Sequence, residues 1–538
     1  MQEQFDLLIK NGHLIDGTGN PYYRADIGIA NGQIIRINRE INQKGSQRVI
    51  QADGSIVSPG FVDTHSHDDL YLLINPTCDE KILQGVTTIV IGNCGFSMTP
   101  ISEDHRTDIK DTLRVMGGEH LSEEDLEIRS FDDYLRKLED LKPGINILPL
   151  VGHSTVRIAV LGSANRVPTD SELKRMKELV ANAMGDGAWG ISTGLIYAPG
   201  NYAGTDEIIE LSKVASQFNG IYASHIRSEG DSLIPALTEA IKIGEEANIP
   251  VHVAHHKVIG KNNWGKSVET LKMMAEARAR GVEITCDQYP YRAGSTFLAA
   301  VLPPSILSDG PEVFSEKLKD PTIRREVIAE IEKGGEGQWE NLIKGAGFEN
   351  LVISASPNHH DYIGRSIADI AKRENKSPYD VIFDLVVEEK RGTIIILFVM
   401  SEEDIKRIIQ SPFTMIGTDG IPGFGVSKVH PRFTGTFPKV LGRYVREKGP
   451  LSLEEAIRKM TSLPAQTFRV KKKGLLKEGF DADIVIFNPK TIIDKSTYED
   501  PKQKPEGISY VLVNGEIAVD NGKVMGATSG KVLRHKKP

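Results

Sequence analysis

Cysteine is scarce: Cys78, Cys94 and Cys286 are the three in 538 residues. An odd count with no Cys-x-x-Cys pair argues against a disulfide framework and makes a reducing cytoplasm the expected compartment. Long hydrophobic runs are missing too. The strongest, Thr393 to Met400, is too short to span a bilayer. The N-terminus, MQEQFDLLIKNG, lacks the apolar core of a secretory signal. Nor is there an excess of positive charge: 65 basic and 73 acidic residues leave a formal net charge of -8. That balance gives no electrostatic footprint for nucleic acid or an anionic membrane. Low-complexity tracts and solenoid-type repeats are absent. What remains, 39% hydrophobic and 26% charged residues, describes an ordinary soluble globular chain. Its length suits a large barrel plus a smaller domain.

Both ends of the chain read as β-structure. FDLLIKNGHLIDGTG, ADIGIANGQIIRI and RVIQADGSIVSPG place turn residues between β-prone runs, and so do GFDADIVIFNP and ISYVLVNGEIAVDNG near the C-terminus. Asn-Gly pairs at 11–12, 31–32 and 514–515 are hairpin signals. The expected organisation is a small β-sandwich built from residues 1–60 and 469–538 around a barrel of residues 61–468. In the middle, GFVDTH, TTIVIGNCG, INILPLVGHS, WGISTGL, GIYASHI, VHVAHH, VEITCDQYPY and FTMIGTDG are short apolar runs. Amphipathic stretches separate several of them. Strand–helix alternation repeated about eight times predicts an α/β fold of the (β/α)8 TIM-like class. NLVISAS and TIIILFVM are further strand candidates, and the pattern does not say which are extra. A polar, helical stretch at about 303–347 interrupts the alternation and reads as an inserted lid.

Residues that bind metals fall at the ends of these runs. His65 and His67 follow GFVDT, and residues two apart on a strand share a face. Cys94 ends TTIVIGNC, His225 ends GIYASH, His255 ends VHVAH, and Asp419 ends FTMIGTD. Each has a bland alternative: a packed cysteine, a satisfied histidine, a turn aspartate before Gly420. Their shared position at one end of successive strands is much less readily accidental, because barrel active sites lie there. Strand alternation turns His252 away as structural, and favours His255 over its neighbour His256. Imidazole, thiolate and carboxylate together are zinc-type ligands. Cys78 and Cys286 read as core residues. GAGFEN and GIPGFG lack the context of a phosphate loop and read as turns, and no nucleophile elbow of the GxSxG type is apparent.

GFVDTHSH, the split sandwich, the separated histidines and the final TDG resemble the amidohydrolase superfamily. Within it, IGNCGFS, GHSTVR, STGLIYAPG, SHIRSEG, AHHK, DQYPYRAGST, MSEED and HPRFTGTFPKVLG resemble the D-aminoacylase (N-acyl-D-amino-acid deacylase) branch over nearly the whole chain. The resemblance implies a zinc enzyme that cleaves N-acyl-D-amino acids, small-molecule substrates rather than nucleic acids. It implies one tight zinc on Cys94, His225 and His255, and a weaker position lined by His65, His67 and Asp419. Asp419 would be the general base. Arg432, Lys257, Tyr289 and Ser295 would receive the substrate carboxylate. His153, Tyr197 and Arg227 lie in family-like segments without an assigned role. The competing readings are a dihydropyrimidinase- or dipeptidase-like amide hydrolase, against which Cys94 in place of a bridging lysine argues, and a non-catalytic scaffold barrel, against which the full ligand set argues. The oligomeric state and the preferred D-side chain stay open.

Overall fold

In the computed structural model, described over residues 4–114, 122, 125–308, 310–334, 339–390, 392–423, 427–447 and 449–536, the two chain ends share one sheet. Among the described residues it has nine strands. Phe5–Leu14, Tyr23–Ala30, Gln33–Asn38, Ser46–Gln51 and Ile56–Pro59 come from one end, and Ile484–Phe487, Ile508–Val513, Glu516–Asp520 and Lys523–Val524 from the other. The seam is antiparallel: Val57 lies opposite Ile486, and Ser58 opposite Val485. Leu7, Ile9, Ile27, Ile484, Ile486 and Leu512 close a common core, each contributing roughly 1.5–3 kcal/mol by burial.

Two of the three Asn-Gly pairs named from sequence are hairpin turns. Asn31–Gly32 (φ 50° and 75°) and Asn514–Gly515 (φ 47° and 84°) supply the paired positive φ of a type I′ turn. Asn11–Gly12 is not a turn. It lies inside the strand Phe5–Leu14, where the pairing register with Tyr23–Ala30 shifts between Ile9 and Gly12. The same positive φ at Asn11 here makes a bulge, because β-pairing continues on both sides of it.

The middle of the chain forms a parallel barrel. Its strands are Phe61–Asp63, Val86–Ile91, Asn146–Pro149 running on into Val151–Gly152, Gly190–Gly194, Ile221–His225, Val251–Val253, Ile284–Gln288 and Thr414–Ile416. Neighbours pair in parallel throughout. The last strand meets the first through the Ser66–Gly420 bridge and the hydrogen bond from Asp419 N to His65 O at 2.8 Å. Helices fill the crossovers. Asp170–Asp186 shows why they form where they do. The Thr169 side chain accepts from Glu172 N in a capping box; Met176, Val180, Ala183 and Met184 bury one face; and Gly187 at φ 121° ends the helix. Loss of such a cap costs about 1 kcal/mol.

Between Ile284–Gln288 and Thr414–Ile416 the chain leaves the barrel. Ala293–Phe297, Ile394–Phe398 and Leu351–Ala355 form a separate antiparallel sheet in that order. NLVISAS and TIIILFVM therefore belong to this insert and not to the barrel. Their apolar period matches that of barrel strands, so pattern does not separate them. Helices Pro304–Leu307, Pro311–Lys317, Pro321–Lys333 and Leu342–Ala346 lie within the polar stretch at 303–347; residues 309 and 335–338 of that stretch, and 424–425 of GIPGFG, lie outside the described residues. Among those described, no helix is long and apolar enough to cross a membrane.

Candidate metal centre at the barrel mouth

The barrel strands end at one rim, where the chain turns sharply. His225 is the last residue of Ile221–His225, whereas His65, His67, Cys94, His255 and Asp419 all lie just beyond a strand end. Cys94, His255 and Asp419 hold φ values of 52°, 34° and 47°. Left-handed backbone is disfavoured by about 1–2 kcal/mol for a residue with a Cβ and persists where the surroundings over-determine it. The strand-alternation reasoning therefore fails here, even where its outcome stands. His65 and His67 converge because Ser66 and His67 are held to Gly420, not because they share a strand face. His255 reaches the cluster through its left-handed turn. His256 is directed elsewhere and pairs with Thr270 Oγ1 at 2.9 Å.

Four ligand atoms crowd together. Cys94 Sγ lies 3.3 Å from His65 Nε2, 3.4 Å from His255 Nε2 and 3.7 Å from His225 Nδ1. Zn–S and Zn–N bonds of about 2.3 and 2.0 Å at tetrahedral angles put sulfur and nitrogen about 3.5 Å apart, so the spacing fits such an ion. Asp419 Oδ1 stands 3.2 Å from His67 Nε2 and 3.5 Å from His65 Nε2. The sets His65–Cys94–His255 and His65–His67–Asp419 thus overlap at His65, the arrangement of a binuclear centre. Burial, with Asp419 adding to it, pushes the Cys94 thiol well above its ordinary pKa. A cation is what would hold it as thiolate in such surroundings. Burial also pushes His225 and His255 well below the usual imidazole range, so both are neutral and have lone pairs to donate.

Three acidic residues not singled out from sequence support this cluster. Glu229 Oε1 lies 3.0 Å from His255 Nδ1, and its Oε2 lies 3.5 Å from His225 Nε2. These are the ring nitrogens turned away from Cys94, so Glu229 orients both imidazoles from behind. Asp287 Oδ1 accepts from His255 N at 2.7 Å, and its Oδ2 is 2.6 Å from His252 Nε2 and 3.7 Å from His65 Nδ1. His252 is thus a prop for Asp287. Glu340, from the insert, contacts the segment carrying Glu229. Glu229, four residues after His225, and Asp287, in the strand Ile284–Gln288, lie in or beside strand-end segments; Glu340 does not.

The candidate substrate residues gather on one side. Arg432 Nη1 lies 2.8 Å from Asp419 Oδ2, and its Nη2 donates to Ser295 O at 3.2 Å. Burial pushes the Asp419 carboxyl up, but the Arg432 guanidinium, helped by the hydrogen bond with His67, outweighs it and holds Asp419 well below the usual carboxylate range. The Tyr289 ring sits 4.7 Å from the Arg432 guanidinium and 5.7 Å from Lys257 Nζ. Lys257 is buried and not solvated, with Nζ 2.6 Å from Glu229 Oε1. Arg432 Nε has no hydrogen-bond acceptor among the described residues. Phe96, Tyr197, Phe297 and Ile421 wall the cleft beside Cys94 and Asp419. His153 pairs with Glu207 and Arg227 with Glu239, so both are engaged in structural contacts. Cys78 and Cys286 are buried free thiols.

Comparison with known proteins shows the family. A model of the amidohydrolase family matches residues 48–316 and 346–519. The chain is 37% identical to a D-aminoacylase of Alcaligenes xylosoxydans xylosoxydans, over 99% of this chain and 98% of that one. It is 35% identical to an N-acyl-D-aspartate deacylase of the same organism, over 98% and 95% of the two chains. An N-acyl-D-glutamate deacylase from Bordetella bronchiseptica, solved with zinc and a phosphonate mimic of the tetrahedral intermediate, superposes with a TM-score of 0.83 at 33% identity, covering 99% of this chain and all of that one.

Proposed function

Because the chain belongs to the amidohydrolase family, in its D-aminoacylase branch, we propose that it hydrolyses N-acyl-D-amino acids to a carboxylate and a free D-amino acid. The observation that carries this reading is the convergence of Cys94, His65, His225 and His255 at zinc-ligand spacing, with Asp419 and Arg432 paired beside it. Cys94, His225 and His255 would hold the tighter zinc, and His65, His67 and Asp419 would line a second position. Zinc bound there supplies Lewis acidity, drawing charge from an amide carbonyl and acidifying water.

The chain's own groups do the rest. Asp419, kept ionised by Arg432, accepts the proton of the attacking water and returns it to the departing nitrogen. Arg432 receives the carboxylate of the D-amino acid, for which its unengaged Nε is a donor. Tyr289 offers its ring to both Arg432 and Lys257, and Ser295 lines the cleft beside Cys94 and Asp419. The wall of Phe96, Tyr197, Phe297 and Ile421 excludes water and accepts an apolar part of the substrate.

The test is release of free amine from paired N-acetyl-D- and N-acetyl-L-amino acids by zinc-loaded and chelator-stripped protein. Zinc-dependent turnover of the D-isomers is the expected result. Absence of turnover for either series by zinc-containing protein would sink the reading and favour cyclic amides or dipeptides.

A further inference from the structure

One carboxylate from the 303–347 stretch, that of Glu340, docks on the segment that carries Glu229. Glu340 Oε2 accepts from Ser228 Oγ at 2.6 Å, from Glu229 N at 2.7 Å and from Gly230 N at 3.0 Å. Three donors thus converge on one oxygen of a side chain that is 9% exposed. Consecutive backbone N–H groups aimed at one point form an anion nest, here filled from a segment more than a hundred residues away. The 228–230 segment lies between the end of the strand Ile221–His225 and the helix Leu233–Ala247, outside both, with Leu233 N donating to Gly230 O at 3.2 Å. What it carries matters for the site, because the Glu229 carboxylate touches His255 Nδ1, Lys257 Nζ and His225 Nε2.

We propose that Glu340 is a positioning residue for the zinc ligands, acting through the 228–230 segment and Glu229; this rests on the zinc reading above. Three further contacts hold the geometry in place. Asn341 Nδ2 donates to Ile331 O at 2.7 Å and ties the segment beside Glu340 to the helix Pro321–Lys333. Lys344 pairs with Asp231 at 2.8 Å across the same seam. Ile259 N donates to Glu229 O at 2.8 Å from the far side. Gly230 permits the close approach, since a Cβ there would lie 2.6 Å from Glu340 Oε1. A shift of this loop tilts Glu229, and with it two imidazoles whose lone pairs must point at one ion.

The test compares full-length wild-type, E340A, E340Q and G230A proteins, each loaded with zinc. Release of zinc to a chromogenic chelator is timed, and the absorption spectrum of the cobalt-substituted protein is recorded. E340A and G230A are expected to release zinc about tenfold faster, the scale of a lost outer-shell support, and to shift the cobalt bands. E340Q is expected to behave as wild type, because an amide oxygen can replace Oε2 as the acceptor. If E340A does not fold, G230A carries the same comparison. Variants that melt at lower temperature but keep the wild-type release rate and cobalt spectrum would reduce Glu340 to a docking contact and overturn the proposal. E340Q releasing zinc as fast as E340A would overturn it too. A wild type that holds no zinc would instead overturn the zinc reading, and this inference with it.

Discussion

The terminal sheet and the barrel mouth use the same unusual backbone conformation with opposite chemistry. In the sheet, positive φ falls on Asn31–Gly32, Asn514–Gly515 and Asn521–Gly522, residues that adopt it at little cost. At the mouth it falls on Cys94, His255 and Asp419; aspartate and histidine take it more readily than most residues with a Cβ, and Cys94 is the costly one. In the first region the conformation makes a turn. In the second it is tolerated because it brings side chains onto one point. The difference lies in convergence and not in cost alone: Cys78, Lys390 and Arg469 are left-handed too, and among the described residues only at the mouth do such positions gather metal-type ligands.

The sharpest way to break that comparison is to remove the chemistry. C94A is expected to lose bound zinc and to lower kcat/KM by at least about a thousandfold, ~4 kcal/mol of transition-state stabilisation; metal analysis and steady-state kinetics would check both. Near-wild-type activity would mean that Cys94 is held in its strained turn for some other reason. Stripping the metal from the wild-type protein should cost a similar amount of stability, about 4 kcal/mol when free zinc stands a thousandfold above its dissociation constant. Calorimetry with and without chelator reads this as a drop in Tm. The sheet should respond in the reverse sense. G515A adds a Cβ 2.7 Å from the Gly32 Cα at a φ of 84° and is expected to destabilise the fold by roughly 2 kcal/mol. Its urea midpoint should fall while zinc content and kcat stay at wild-type values. The smallest effect is the most telling. C94G, which relieves the left-handed strain, should leave the metal-free protein about 1 kcal/mol more stable than C94A, although neither holds zinc. Equal denaturation midpoints would show that the turn at Cys94 stores no strain.

Legibility in the sequence followed the range of the interaction. Asn31–Gly32 and Asn514–Gly515 are local signals and were readable as hairpins. The same dipeptide at 11–12 misled, because a bulge differs from a turn only in whether pairing continues beyond it. The clustering of His65, His67, Cys94, His225, His255 and Asp419 was readable from recurrence at strand ends, yet the alternation used to choose His255 over His256 does not apply, since the strand stops at Val253. The strands of the insert share an apolar period with those of the barrel, so pattern could not sort them. Glu229, Asp287 and Glu340 were silent. Their roles depend on which ring nitrogen or backbone N–H they meet after folding, and for Glu340 the partners lie 110 to 112 residues away.

The seam between Ile56–Pro59 and Ile484–Phe487 also sets a timetable. One edge of Ile56–Pro59 pairs with Phe5–Leu14 as soon as both exist, but its other edge waits for a strand made more than four hundred residues later. At about 5–20 residues per second that wait lasts roughly 20–80 s. The residues of the metal centre, from His65 to Asp419, all leave the ribosome within that interval. The nascent chain can therefore assemble a zinc site before the sheet that joins its two ends is closed, and the exposed edge in the meantime is where a chaperone or a wrong partner strand would find it.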